Sequence, residues 1–508
     1  MMATYEVKVD WNNDGDFNDA NEDVSADVNS MSWGRGKDAE LDHAQTGILE
    51  LRVKNATGKY SPENTASVLS PNVLPGRPIR VQAVHLAVTY TLFTGYIEAI
   101  TPHPESETQD CYILCTDGAD RLARIEIEAP AGGVMAAVKL GDNPGPIRHV
   151  LDEAGWPSAK RTLDAGVDTL AYWWAHQEEA QTHLWQLEDG ERAFMYVDES
   201  GNFVYEDRHH RLKGAHLVSQ ATFSDTMERM TYEMSARSVK NRAIVRGQAL
   251  KAASTAYIWG TTDTPFIDAG QTREVWVVLA EPATALVVPV ATTDWKANTQ
   301  ADGLGTDKTT NVAIAAWGTG ATDSIRYGQA AKLRITNNAT VPVYIVPGTG
   351  AVGAWAGKTL LMTGQELLGE TMQARADDAT SQTAYGIYVV NMDTLTTAWN
   401  DLISYAEWLV ARFKNPQPER VVMTLVNGSD ALLTQILSRK ISDRITVTVT
   451  DLGITAKPYY INAMQHQVSN GGKSHEASYT LSRASEEAFW ILGTVGFSEL
   501  GETTKLVF

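Results

Sequence analysis

A mainly β protein with some α+β content is what this sequence predicts, on three observations. Val7, Val9 and Trp11 alternate with polar residues, as do Leu49, Leu51 and Val53, and each run stops at Gly, Asn, Asp or Pro. Such period-two runs are half-buried strands. Helical spacing survives in only three stretches of the chain. Between about Ala253 and Met362 charge thins out and Gly, Thr, Ala and Val dominate. Within it, Arg273–Leu279, Lys332–Thr336 and Val341–Pro347 read as strands of a β-sandwich.

In chain order, Tyr90 to Leu122 reads as a hairpin whose arms are joined by the polar run Pro102–Asp110. Pro144 and Pro146 open a first helix, with Ile147, Val150, Leu151 and Ala154 on one face and Gly155 stopping it. A second helix runs from about His176 to Asp189, burying Ala180, Leu184 and Leu187 and ending at Gly190. Ala193–Val197 and Asn202–Glu206 form a hairpin across Asp198, Glu199, Ser200 and Gly201. A third helix sets Trp399, Ile403, Ala406, Val410 and Phe413 on one face and ends at Asn415, Pro416 and Pro418. One internal echo stands out. Tyr96–Ile100 resembles Tyr460–Met464, and Tyr112–Leu114 answers the first as Tyr479–Leu481 answers the second. The echo favours two related β-domains at opposite ends of the chain.

At 508 residues the chain is too long for one core. It divides into a β-domain over 1–125, an α+β domain over 126–215, and a second β-domain over 216–252 plus 363–485. The sandwich is inserted at 253–362, and a C-terminal arm occupies 486–508.

Forty-two Lys and Arg face 62 Asp and Glu, a net charge of −20, which disfavours gripping a phosphate backbone. Cys111 and Cys115 are the only cysteines, too few for a disulfide scaffold or a four-cysteine zinc site. Four apart in a strand, they lie roughly 13 Å from each other, beyond disulfide reach. The segment Met1–Trp11 has neither a basic nor an apolar leader region, and no run of about 18 apolar residues occurs. Neither a signal peptide nor a membrane span is expected.

Most motifs fail their context tests. No nucleophile-elbow, zincin or phosphate-loop string is present. Gly348, Gly350 and Gly353 spell G-x-G-x-x-G, but Pro347 intervenes and no good helix start follows, so the reading is a hairpin loop. Glu206, Asp207, His209 and His210 crowd together, yet neighbours on a strand point to opposite faces. A polar edge accounts for them better than a metal. Cys111 and Cys115 read as strand residues and not as nucleophiles, and the many carboxylates single out no acid–base pair. The motif that remains is Asp10–Asp23. Asp10, Asn12, Asp14 and Asp16 supply oxygen at alternate positions, and Gly15 stands where a calcium loop turns sharply. Asn21 replaces the bidentate Glu of such loops, with Glu22 and Asp23 just after it. Those four residues are the candidate calcium ligands, and a tight polar turn is the alternative. No cofactor is required.

Several stretches resemble one family. Gly58–Val81, followed by Leu92–Ile100, resembles the N-terminal domain of tail-tip hub proteins of long-tailed bacteriophages. Tyr196–Leu212, Ala411–Val421 and Ile461–Ser482 are similar to later segments of the same proteins, and Gly496–Phe508 to their C-terminus. The pieces come in family order; over 253–362 only the layout is similar. The resemblance implies two tail-tube-like β-barrel domains per chain and a structural virion protein, made in the host cytoplasm and placed at the tail tip. It implies a homotrimer, related to the hubs of contractile-tail baseplates, whose six tube-like domains match a hexameric tube. The implied partners are a distal tail protein or the tail tube above, the tape measure protein, and central tip or fibre proteins. Phage DNA would pass through without specific binding. No catalytic residues carry over, so no enzyme is expected. The alternatives are a tail lysin, and an adhesin that binds host polysaccharide through the sandwich. For the adhesin, Trp259, Trp295, Trp317 or Trp355 would have to be ligand platforms, although burial habit places them in the core.

Overall fold

The computed structural model describes residues 2–104, 109–127, 134–175, 178–395 and 399–484, together with short strands at 489–490 and 505–506. The expected arm over 486–508 falls almost wholly outside these residues, as does His176 at the expected start of the second helix.

The chain is mainly β, and one twelve-stranded sheet dominates it. The first half of this sheet holds β1 (Thr4–Val9), β2 (Val28–Gly36), β3 (Gln45–Lys54), β4 (Pro78–His85), β5 (Val88–Pro102) and β6 (Asp110–Thr116). The second half holds β7 (Ala221–Ser224), β8 (Arg229–Met234), β9 (Pro418–Val426), β10 (Arg444–Val449), β11 (Ile454–Ser469) and β12 (Ser474–Arg483). The spatial order is β1-β4-β5-β6-β3-β2 in the first half and β7-β10-β11-β12-β9-β8 in the second. Counted within each half, both read first, fourth, fifth, sixth, third, second. The halves are joined edge to edge: β2 pairs antiparallel with β11, from Met31 opposite Val468 to Gly36 opposite Ala463.

Alternation explains why these segments are strands. Leu49, Leu51 and Val53 of β3 are buried and lie opposite Cys115, Ile113 and Cys111 of β6, which are buried too. Each such side chain withdrawn from water contributes about 1.5–3 kcal/mol. The expected barrels are open sheets among the described residues: β1 does not pair with β2, nor β7 with β8, and the outer edge of β2 is covered by β11 instead.

The echo is structural. In the first half Tyr96 lies opposite Thr116 and Ile97 opposite Cys115; pairing then skips Glu98 and resumes with Ala99 opposite Leu114. In the second half Tyr460 lies opposite Ser482 and Ile461 opposite Leu481; Asn462 is skipped, and Ala463 meets Thr480. The return strands therefore align Ile113 with Tyr479, one residue away from the match of Tyr112 with Tyr479 expected from sequence. A one-residue slip exchanges faces: Ile113 and Tyr479 are buried, whereas Tyr112 is exposed.

Between the halves lies an α+β region with α1 (Pro146–Glu153), α2 (Ala180–Glu191) and the hairpin Phe194–Val197 with Phe203–Glu206. Ile147, Val150, Leu151, Leu184 and Leu187 share its core. Ser235 to Gln417 all lie between β8 and β9, where the first half has only Lys37–Ala44. Two bodies fill that span. In one, Arg242–Ala252 pairs with the later part of the strand Thr359–Asp377, from Leu367 on, Val389–Thr394 joins in parallel, and α3 (Ala379–Tyr385) precedes α4 (Trp399–Phe413), while the start of that long strand pairs with strands of the sandwich. This sheet, expected inside the second β-domain, is separate from the twelve strands. Helix α4 packs on it through Leu402, Tyr405, Ala406, Leu409 and Val410, so the buried stripe turns away from Trp399, which is 48% exposed. The other body is the sandwich, built around Val277, Trp295, Leu333, Ile335, Val343 and Ile345. It leaves and returns at one place, with Ala252 opposite Leu367 and the Ala253 N–H bonded to the Glu366 carbonyl at 2.8 Å. Helix α5 (Asp430–Ser438) belongs to the second half but sends Leu433 and Leu437 into the first half's core. No helix among the described residues is long and apolar enough to cross a membrane.

Candidate functional site

The loop after β1 and the joint between the two halves of the sheet both combine polar chemistry with burial.

The loop begins where β1 ends. Asn13 (φ 60), Gly15 (φ 97) and Asn21 (φ 73) take left-handed conformations that curl it, as small polar residues and glycine allow. Asp10 is buried; its Oδ1 accepts the Asp14 N–H at 3.2 Å and its Oδ2 the Gly15 N–H at 2.9 Å. Asn12 turns its amide N–H to Asp14 Oδ2 (2.9 Å) and Asp19 Oδ2 (2.7 Å). Asp16 accepts the Asn18 N–H at 2.8 Å. Of the four expected ligands, the structure brings Asp10 and Asp14 together and adds Glu22. One carboxylate oxygen from each of these three lies within 4.8 Å of the others. Asp16 is not part of that carboxylate group, and Asn12 stands beside it through its bonds to Asp14 and Asp19. Spacing counted along a regular calcium loop misses Glu22, which stands one place beyond the usual bidentate position; its signal in the sequence is its nearness to the motif. Burial raises the Glu22 carboxyl pKa, and the neighbouring charges of Asp10, Asp19 and Asp14 add to the rise.

At the joint, Trp33 of β2 stacks on His466 of β11, ring centroids 4.8 Å apart and planes 3° from parallel. The Tyr5 hydroxyl is hydrogen-bonded to His475 Nδ1 at 2.7 Å, and His475 Nε2 to His466 Nδ1 at 3.0 Å, so both ring nitrogens of His475 are paired. Both histidines are buried. Desolvation lowers His475 to about 3 and takes His466 well below the ordinary imidazole range, with His475 and Arg35 adding to the second shift. Gly36 closes the joint: a Cβ there would sit 2.2 Å from the Asn462 carbonyl oxygen, so only glycine fits. The bulged Asn462 is 1% exposed, and its Oδ1 accepts from Arg211 (2.8 Å) and Ser482 (3.1 Å). Arg211 also donates to Ser442 Oγ at 3.1 Å, and Ser442 donates in turn to Glu206. Glu199, on the turn of the α+β hairpin, lies between Arg35 of the first half and Lys440 of the second. Burial alone would raise its pKa, but these two cations hold it below the usual value. The α+β region thus seals the joint with charge and hydrogen bonds, while Trp33 and the histidines fill it.

The remaining sequence candidates lie apart. Gly348 packs where a Cβ would meet the Thr293 carbonyl at 2.2 Å, and Gly353 starts a single turn, Gly353–Trp355, not an α-helix. His210 bonds to Asp164 at 2.8 Å. Cys111 and Cys115 are buried free thiols; desolvation raises both, Cys111 to about 11. Trp295 is buried, while Trp259 and Trp317 pack against the sandwich core. The tryptophan that the sandwich does expose is Trp276, at 59%, stacked on Tyr327 with centroids 6.1 Å apart.

No family model and no curated protein matches the chain. Among solved structures, the chain is similar to the 43 kDa tail protein of prophage MuSo2 from Shewanella oneidensis. The identity there is 12%, over 95% of this chain and 98% of that one, with a TM-score of 0.48. It is similar to the tail protein from Neisseria meningitidis MC58 at 9% identity, over 95% and 97%, with a TM-score of 0.49. It is also similar to prophage tail protein gp18 from Listeria monocytogenes EGD-e at 8% identity, over 95% of each chain, with a TM-score of 0.40.

Proposed function

We propose that this chain is a structural, non-enzymatic hub of a bacteriophage tail tip. In this reading it is a homotrimeric ring that joins the tail tube to distal tip proteins and surrounds the DNA conduit. The observation that carries it is the duplicated strand order, with one joint made and its counterpart left open. In the first half the outer edge of β2 is covered by β11 beyond the bulge at Asn462. The counterpart of β2 is β8, and the counterpart of that stretch of β11 is Ala99–Pro102 of β5. Among the described residues no strand covers the outer edge of either. A head-to-tail contact between β8 of one copy and β5 of the next repeats the internal joint, and a heterologous contact of that kind makes a ring when its rotation closes after three copies. Pro102 lacks an N–H, so this second joint has fewer backbone hydrogen bonds and leans on side chains. Three copies present six halves. A net charge of −20 per chain suits a conduit that lets phosphates pass without gripping them. The mass in solution tests the reading: three chains are expected, and a monomer at high concentration would end it. A peptidoglycan zymogram with no clearing is the expected result for a non-enzyme.

One observation favours a second reading, the adhesin. Trp276 stacked on Tyr327, with Val278 74% exposed beside it, makes an aromatic surface on the sandwich. Glycan-array binding that disappears in Trp276→Ala would support it, and a blank array would dismiss it.

A further inference from the structure

The loop after β1 holds more carboxylate than a turn needs. The Asx-type bonds from Asp10 to Asp14 and Gly15 would suffice to shape it, and they do not involve Glu22. Yet Glu22 is 2% exposed inside a surface loop. Its Oε2 accepts the Asp19 N–H at 2.9 Å, while its Oε1 has no hydrogen-bond partner. A buried carboxylate oxygen without a donor is costly, and this one belongs to a side chain that brings a carboxylate oxygen within 4.8 Å of oxygens of Asp10 and Asp14. The charges nearest it are carboxylates. Asp10 and Asp14 already accept hydrogen bonds within the loop. A cation placed among the three carboxylates gives Glu22 the partner it lacks and removes their mutual repulsion.

We propose that Asp10, Asp14 and Glu22 bind one calcium ion, with Glu22 supplying the carboxylate that the loop lacks at its usual last position. The ligand set is oxygen only, which selects a hard cation. Calcium–oxygen distances of about 2.3–2.6 Å place two ligands of one ion up to roughly 5 Å apart, as wide as this group. An irregular loop with extra backbone turns suits the adaptable shell of calcium better than the strict octahedron of magnesium. The ion would act as a clamp. Glu22 is tied to β1 by the Val9 N–H to Glu22 carbonyl bond at 2.9 Å, and Val24 returns to Val7 at 2.9 Å. Binding therefore fastens both ends of the loop over Trp11, which packs on Tyr60 in the first half's core.

The experiment uses the full chain, stripped with a chelator and titrated with calcium chloride by calorimetry, alongside its melting temperature. One ion per chain and a melting temperature that climbs with calcium are expected, with magnesium chloride giving the smaller rise. Glu22→Gln should abolish the calcium response while raising the melting temperature of the metal-free protein, because it removes the repulsion. Asp14→Asn, at an exposed position that tolerates change, should weaken binding by about tenfold or more. Asp16→Asn should leave binding unchanged. No calorimetric binding together with no calcium-dependent shift would overturn the proposal. So would wild-type affinity in Asp14→Asn, and equal responses to magnesium and calcium would overturn the choice of ion.

Discussion

The first and second halves of the large sheet share a strand order and a bulge at the same place, yet they solve burial differently. Trp33 on β2 and Tyr232 on β8 hold equivalent positions, facing Leu49 and Val421 on the neighbouring strands. Trp33 is 2% exposed beneath β11, whereas Tyr232 is only half-buried and Met234 beside it is 56% exposed. At the bulge, Asn462 is enclosed by Arg211 and Ser482, while Glu98 is exposed and pairs with Arg124 at 2.9 Å. One strand also differs in direction: β1 runs antiparallel to β4, but β7 runs parallel to β10. A repeated unit thus keeps its ladder while its edges diverge, because one edge was fitted to a partner inside the chain and the other was not.

The difference can be broken most severely at Trp33. Trp33→Ala should cost about 3–5 kcal/mol in urea unfolding, against about 1 kcal/mol for Tyr232→Ala in the unassembled chain. Equal losses would mean that the two edges are not distinct. The bulge comes next. Asn462→Ala removes the buried acceptor shared by Arg211 Nη1 and Ser482, leaving Arg211 only its bond to Ser442, and should cost about 1–3 kcal/mol, while Glu98→Ala should stay within about 0.5 kcal/mol, as surface changes do.

Acid sharpens the contrast further. His466 and His475 are held below the ordinary imidazole value of 6.5, His475 at about 3. The unfolded chain therefore binds protons first. The stability these two contribute is complete above about pH 6.5 and is lost as pH falls toward 3, by up to about 1.4 kcal/mol per pH unit for each site. Asp117, raised to about 7 by burial, acts in the opposite sense over the same range. The readout is therefore the difference between proteins: His475→Gln should lower stability at neutral pH and flatten the acid loss relative to the unmodified chain. The smallest effect on stability is expected from Thr101→Cys combined with Glu233→Cys. If β8 of one copy meets β5 of the next as β2 meets β11, these positions face each other as Gly34 faces Gln465, and oxidation should link separate chains. A trimer by mass that never cross-links would place the contact elsewhere while leaving the proposed trimer standing.

The sequence was informative wherever a local rule operated. Period-two runs located β3 and the hairpin of β5 with β6, Pro146 opened α1, and the Tyr96 and Tyr460 echo marked the duplicated strands. The motif around Gly15 located the acidic loop, since turn chemistry is written in neighbouring residues. Tertiary structure decided everything that depends on what lies opposite. It added Glu22 to Asp10 and Asp14, because the loop's reversal brings their carboxylates together. It turned α4 so that Trp399 is exposed, because the covering sheet lies along Leu402 and Leu409. It also withdrew Arg242–Ala252 and Thr359–Asp377 from the large sheet, because the alternation of a strand fixes which faces are apolar and not which strand pairs beside it. Above all it set β2 against β11, joining two units into one sheet through a glycine whose need for zero side chain appears only when Asn462 is in place.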